Sequence, residues 1–182
     1  MKKIFFPFIF SLLLPLGAMA DQTDSRLQDL FQTLKTTTDP LVALNTENSI
    51  WQIWTESDNP RFNNLMNEGI QAMNRAALSE ALDYFNQLVA IAPKFAEAWN
   101  KRATVYYLMK NYAASEADIK KTLELEPLHF GALSGQGLVY MAQGDYIRAR
   151  HAFNEALEIN PNMSGVQSAL DAIQQYLNQT AI

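Results

Sequence analysis

His129 and His151 are the two histidines of the chain, and imidazole is both a common metal ligand and a common general base. They stand 22 residues apart, whereas a helical metal pair requires histidines four residues apart. The chain has no cysteine that could supply a thiolate as a further ligand. We therefore predict no metal site, and we expect both side chains to be solvated or hydrogen-bonded locally.

Serine, glycine and carboxylate residues also lack the spacing that catalysis requires. Ser134 lies beside Gly135, but a nucleophile elbow places glycines two residues before and two after its serine. Gly135 and Gly137 lack the third glycine and the preceding strand of a phosphate-binding loop. Four carboxylates near predicted helix ends are expected to be solvated, namely Glu124, Glu126, Glu155 and Glu158. The sequence thus predicts no catalytic residue and no cofactor, and therefore no enzyme.

A pattern of large and small residues recurs every 34 residues through the middle of the chain. Its register is set by three prolines, Pro93, Pro127 and Pro161. Small residues recur 24 and 12 positions before each proline, and large apolar residues recur eight positions before it. The small ones are Gly69, Ala103 and Gly137, then Ala81, Ser115 and Ala149, and the large ones are Phe85, Ile119 and Phe153. Small residues allow two antiparallel helices to approach closely. Each proline disfavours continuation of a helix, so we expect helices to end near Ala92, Glu126 and Asn160.

This pattern resembles the tetratricopeptide repeat, whose 34-residue unit is a helix A, a tight turn and a helix B. The resemblance implies an all-α fold, a right-handed α-solenoid with three units at about 62–95, 96–129 and 130–163 within residues 61–161. Each hairpin has an apolar side that only another hairpin covers. The first turn, Arg75-Ala76-Ala77, lacks the Gly, Asn or Asp that usually supports such turns.

Residues 1–20 are typical of a secretory signal peptide. Lys2 and Lys3 precede an apolar run, and Ala18-Met19-Ala20 provides a cleavage motif. We expect cleavage after Ala20 and a periplasmic protein; the alternatives are secretion, or anchoring by an uncleaved signal. Removal of the two lysines would change the net charge from −5 to −7, which is poorly suited to binding nucleic acid. We expect no stable membrane insertion after cleavage.

The segments on either side of the repeats are predicted to cap them. Residues 21–60 are interpreted as a helical pair docked on the first repeat, with Asp39 and Pro40 starting its second helix. Extending the register backwards places Lys35 and Glu47 where small residues should stand, so this pair is a degenerate hairpin. Residues 164–182 are predicted to form a C-terminal capping helix.

The resemblance also implies a binding surface on the A helices, where family members hold a peptide or a segment of a partner. Twelve residues fall on it by register: Asn63, Met66, Ile70, Met73, Asn100, Lys101, Thr104, Tyr107, Leu108, Ser134, Leu138 and Met141. Methionines adapt to varied shapes, and asparagines bond a peptide backbone. Of the basic clamp by which some family members seize a C-terminal carboxylate, only Asn100 and Lys101 come near the pattern. We expect a mixed groove that suits an amphipathic or extended peptide.

Three functions remain open from the sequence. The first is a non-catalytic scaffold that binds a protein or peptide of unknown identity in this groove. The second is a structural subunit of an envelope complex that docks through its N-terminal helices, with Trp51 and Trp54 on the docking face. The third is a binder of small ligands. A homo-oligomer is compatible with each of them.

Overall fold

The computed structural model describes residues 24–180, so the predicted signal segment lies outside the described residues. Nine α-helices, and no strand, make up the described part of the chain. They are α1 (Arg26–Thr36), α2 (Pro40–Thr55), α3 (Pro60–Asn74), α4 (Leu78–Ile91), α5 (Ala96–Leu108), α6 (Tyr112–Leu125), α7 (Phe130–Ala142), α8 (Tyr146–Ile159) and α9 (Ser164–Thr180). The helices α3–α4, α5–α6 and α7–α8 form three consecutive hairpins. The predicted all-α repeat architecture is confirmed.

The helix B of each hairpin ends where the sequence predicted. Ala92, Glu126 and Asn160 are the C-cap residues of α4, α6 and α8, and each immediately precedes one of the repeated prolines. The next helix A begins three residues after that proline. Each helix B is therefore joined to the next helix by a connection of the same length.

The small residues of the repeat admit a neighbouring side chain. A Cβ atom added to Gly69 would lie 2.6 Å from the ring of Phe85, and one added to Gly137 would overlap the ring of Phe153. In the second hairpin, the buried hydroxyl of Ser115 donates to a carbonyl oxygen of the facing helix α5 at 2.8 Å. The same close approach is thus achieved by aromatic packing in the first and third hairpins and by a hydrogen bond in the second.

The three turns between helix A and helix B share one backbone conformation despite their different sequences. Ala76, Lys110 and Gly144 occupy equivalent positions and have φ angles of 57°, 60° and 78°. This left-handed region suits glycine and costs other residues about 1–2 kcal/mol. The first two turns therefore form because the packed hairpin requires them.

The N-terminal hairpin of α1 and α2 does not dock on the first repeat, and that prediction is wrong. Its buried side chains, among them Leu34, Ile50 and Trp54, pack with Phe130 and Ile159 of the third hairpin. The physical reason is visible in the sequence, since Lys35 and Glu47 replace the small residues that would allow regular stacking. The predicted start of α2 is confirmed, because the Asp39 side chain accepts from the Leu41 amide at 2.8 Å.

Helix α9 packs on α8 at the other end of the array. Val166 and Ile173 are buried against Phe153, and Leu170 and Leu177 pack beside them. The rings of Tyr146 and Tyr176 lie 4.3 Å apart across the same contact. Helix α9 thus covers the apolar side of the last hairpin.

Candidate binding groove

We call the surface formed by α3, α5 and α7 the A-helix face. Helix α2 runs across it. A Cβ atom on Gly131, at the start of α7, would overlap the indole of Trp51. The ammonium of Lys101, on α5, lies 5.2 Å from the centre of the Trp51 ring, within the range of a cation–π contact. The centre of the predicted groove is therefore occupied by the chain's own helix.

A buried polar cluster lies beneath α2, centred on Glu97. Lys101 Nζ lies 2.9 Å from Glu97 Oε1 and forms an ion pair with it, and Asn100 Nδ2 donates to Oε2 at 2.9 Å. His129 Nε2 lies 2.8 Å from the same Oε2 atom. Because His129 Nδ1 accepts from the Ala132 amide at 3.1 Å, the ring proton is assigned to Nε2, which donates to Glu97.

The electrostatics of this cluster favour a charged Glu97. Burial raises the pKa of its carboxyl, but the charge of Lys101 and the hydrogen bond from His129 outweigh burial and lower the pKa to about 2. Glu97 and His129 have no exposed side-chain surface. Glu97 therefore stays ionised, and neither Glu97 nor His129 can touch a ligand from solvent.

An aromatic cluster covers the polar one. The rings of Trp54 and His129 are stacked 4.0 Å apart with an interplanar angle of 13°. Trp51 meets Trp54 edge-on at 5.2 Å, and Phe130 lies 5.1 Å from Trp54. Such contacts exclude water from the ionic groups below, which strengthens their interaction.

Hydrogen bonds fix the other end of the N-terminal hairpin. Glu47 Oε2 accepts from Asn160 Nδ2 at 3.0 Å, and Glu47 Oε1 accepts from Trp51 Nε1 at 3.2 Å. The carbonyl of Leu34 accepts from Asn162 Nδ2 at 3.0 Å. The bonds made by Asn160 and Asn162 join residues more than a hundred positions apart in the sequence.

The predicted groove residues of the first repeat lie at one side of α2. Met66 is buried in the core, so its prediction as a contact residue is wrong. Asn63 is used locally, because its side chain bonds both the amide and the carbonyl of Ser57. Ile70 lines, with Asn63, a pocket of about 410 Å³ that α2 bounds through Ile53. Met73 is half-buried against the same core.

The predicted residues of the second repeat divide between covered and open positions. Asn100 is buried, and Lys101 is held on Glu97 beneath α2. Thr104 is half-buried and donates to a backbone carbonyl of its own helix. The ring of Tyr107 packs 5.9 Å from that of Tyr112. Leu108 is 48% exposed.

The third repeat leaves part of the A-helix face open. Ser134 and Leu138 line a pocket of about 470 Å³ together with Glu47 of α2 and Val166 of α9. Leu138 is 38% exposed. Met141 is half-buried one turn further along α7. Helix α2 therefore divides the predicted groove into two pockets, one at each end.

Several sequence interpretations of polar and aromatic residues need correction. Glu126, which was expected to be solvated, is nearly fully buried, and burial raises the pKa of its carboxyl. His129 is also buried, and its Nδ1 makes a local hydrogen bond with the Ala132 amide, which was one of the two expectations for its side chain. Trp54 is 2% exposed and Trp51 is half-buried, so neither is available as an outward docking face. His151 is exposed and lies 3.2 Å from Glu155. No sequence signal relates Glu97 to His129, because 32 residues separate them rather than one repeat length.

Within residues 24–180, no group of three or more potential ligands is placed to hold a metal ion. No helix in that range is long and apolar enough to cross a membrane.

Comparison with known proteins places the chain in a family. The sequence model of the tetratricopeptide repeat matches residues 130–163, and a second model of the same repeat matches residues 96–127. A TPR repeat-containing protein of Rhizobium etli is 34% identical over 152 residues, covering 84% of this chain and 74% of that protein. The chain belongs to the tetratricopeptide repeat family. The wheat Hsp70-Hsp90 organizing protein is a more distant relative, 26% identical over 57% of this chain, which spans only 18% of that protein's length.

Solved tetratricopeptide repeat structures share the fold. The Sgt2 TPR domain from Aspergillus fumigatus superimposes with a TM-score of 0.64, at 24% identity over 68% of this chain and 83% of that one. The first TPR of Spaghetti (RPAP3), bound to an HSP90 peptide, gives a TM-score of 0.63 at 23% identity, over 66% of this chain and 96% of that one. The crystal structure of MamA gives 0.61 at 15% identity, over 87% and 85% of the two chains.

Proposed function

We propose that this chain is an exported, non-catalytic scaffold that binds a segment of another protein on the open part of its A-helix face. The observation that carries the proposal is the pair Leu108 and Leu138, which are exposed on α5 and α7 beside half-buried Tyr107 and Met141. These apolar side chains line the face on which the family holds its partners.

The third-repeat pocket favours an apolar or amphipathic segment as the ligand. Phe153, Met163 and Val166 line it alongside Ser134 and Leu138. Apolar side chains of a partner would gain free energy by leaving water there, and a soft methionine adapts to their shape. Catalysis is disfavoured because the best acid–base pair, Glu97 and His129, is sealed from solvent.

Capture of a C-terminal carboxylate is also disfavoured. The RPAP3 and yeast Sti1 domains have been solved with HSP90 and Hsp70 peptides respectively. In this chain the two residues nearest to a carboxylate clamp, Asn100 and Lys101, are already bound to the carboxylate of Glu97, Asn100 by a hydrogen bond and Lys101 by an ion pair. Their donors would have to be released before an external carboxylate could bind.

The test is capture of proteins from the native envelope by the full chain. Replacing Leu108 and Leu138 with Glu should abolish capture of specific partners, because each change puts a charge on an apolar contact. Ala90→Glu and Ala117→Glu, on exposed positions of α4 and α6, are matched controls with the same charge change. Unchanged capture by the leucine variants would refute the proposed surface.

A second candidate function, a structural subunit that docks through the N-terminal hairpin, is favoured by one observation. Leu41, Val42 and Leu44 of α2 are 70%, 40% and 55% exposed. The docking face would then be the first turns of α2 rather than the two tryptophans. Leu41→Glu with Leu44→Glu should dissociate such a complex, while leaving capture through Leu138 intact.

Export is part of the proposal and rests on the composition of residues 1–20. The protein should be recovered from the periplasm with Asp21 as its first residue. Recovery of an intact N-terminus from the cytoplasm would reject export.

A further inference from the structure

Helix α2 occupies the centre of the A-helix face in the position of a ligand. Asn63 and Ile70 lie in a pocket on one side of it, Ser134 and Leu138 lie in a pocket on the other, and Lys101 lies beneath it. We call the part of the A-helix face that α2 covers the seat. We propose that the seat is a helix-binding site, and that α2 is a resident occupant that exchanges with an amphipathic helix of a partner protein.

The contacts of α2 define the partner that the seat fits. Glu47, Ile50, Trp51 and Trp54 share one helical face, at positions i, i+3, i+4 and i+7. The seat therefore selects a helix that carries a carboxylate, an aliphatic residue three positions after it, and tryptophans four and seven positions after it. This is recognition of a helix in a groove, read through side chains at helical spacing.

Glu47, Trp51 and Trp54 each have a counterpart in the seat. The carboxylate of Glu47 is bound by Asn160, and the ring of Trp54 stacks on His129. Gly131 provides the socket for Trp51, since any side chain at that position would overlap the indole. A partner helix without a large aromatic residue there would leave the socket unfilled.

Three features of the hairpin favour exchange. Only residues 56–59 connect α2 to α3, so the hairpin is tethered by a short link. The seat contains a buried ionic cluster, and such clusters specify geometry more than they add net stability. The first turns of α2 remain uncovered, as the exposure of Leu41 and Leu44 shows.

A partner helix must compete for the seat with α2, which is tethered to the same chain. A short link gives the resident helix an effective concentration in the millimolar range. A free helix therefore binds weakly until its own concentration or its contacts elsewhere on the partner compensate. The open pocket at Leu138 supplies such contacts, so the inference rests on the proposed function and extends it.

The probe is a synthetic, dye-labelled peptide with the sequence of residues 40–55, titrated into the full chain and followed by fluorescence anisotropy. Glu47→Ala in the chain removes the bonds to Asn160 and Trp51, loosens the resident helix and should tighten apparent peptide binding by about tenfold. Asn48→Ala, exposed on the same helix, is the matched control and should not alter binding. A peptide with alanine at both tryptophan positions should bind about tenfold more weakly or not at all.

A reversible cross-link between α2 and the end of α8 completes the test. The chain has no cysteine, so Glu47→Cys with Asn160→Cys creates the only two thiols, which a short bis-methanethiosulfonate reagent can bridge. The bridged chain should lose peptide binding, and reductant should restore it. Binding that is unaffected by the bridge, or that is undetectable even in the Glu47→Ala chain, would overturn the exchange. A failure of the exchange would leave partner capture through Leu138 unaffected. The proposed function and the exchange of α2 can therefore be refuted separately.

Discussion

The buried carboxylate of Glu97 should make the stability of this protein depend on pH in a defined way. Its pKa is lowered from 4.5 to about 2 by Lys101 and His129, against the opposing effect of burial. A lowered pKa means that the carboxylate stabilises the fold fully above about pH 4.5, and that this contribution is lost as the pH falls towards 2. The shift corresponds to a contribution on the order of 3 kcal/mol, which agrees with the cost of breaking a buried ion pair.

The perturbation is Glu97→Gln, which keeps the size of the side chain and removes its charge. At pH 7 the free energy of unfolding should fall by roughly 3 kcal/mol. The difference between wild type and variant should then shrink steadily between pH 4.5 and pH 2. Urea unfolding followed by circular dichroism at a series of pH values measures it, and titrating groups remote from Glu97 cancel in the difference.

Glu68→Gln, on an exposed position of α3, is the matched control and should change the free energy of unfolding by no more than about 0.5 kcal/mol. A Glu97→Gln effect that stays constant from pH 7 to pH 2 would refute the electrostatic reasoning. An effect below about 1 kcal/mol at pH 7 would show that the ion pairs only offset the cost of burial.

Three further changes test the packing of the hairpins. Ala76→Gly should stabilise the protein by about 1 kcal/mol and raise Tm by about 2–4 °C, because glycine adopts the positive φ of the first turn without strain; a lower Tm would contradict this account of the turn. Gly137→Ala should destabilise by about 1–3 kcal/mol in urea unfolding, since the new methyl group would overlap the Phe153 ring; no loss would mean that the ring moves aside freely. Ser115→Ala should cost about 0.5–1.5 kcal/mol by differential scanning calorimetry, because it removes a buried hydrogen bond to the facing helix; a gain in stability would argue that alanine packs better there, as it does in the other repeats.

The repeats could be predicted because their information is periodic. Gly69 and Gly137 recur at the same register as their aromatic partners, and the prolines mark the helix ends independently. These signals agree with one another, so a single sequence was sufficient. The turn at Ala76 lacked a local signal, because tertiary packing rather than residue preference imposes its φ angle.

The docking of the N-terminal hairpin could not be predicted, because its contacts obey no period. Glu47 meets Asn160 across 113 positions, and Leu34 meets Asn162 across 128. Trp51 and Trp54 were assigned to a docking face, and nothing in the sequence indicates that they lie against the A-helix face. The predicted groove was consequently treated as open where α2 fills it.

The central claim is that α2 lies across the second and third repeats of its own chain. Nuclear Overhauser contacts in an isotope-labelled sample test it directly. We predict cross-peaks between the ring protons of Trp54 and His129, whose centres are 4.0 Å apart, and between the Trp51 indole and Gly131. Tryptophan contacts confined to residues of α3 and α4 would instead place the hairpin on the first repeat and contradict the account.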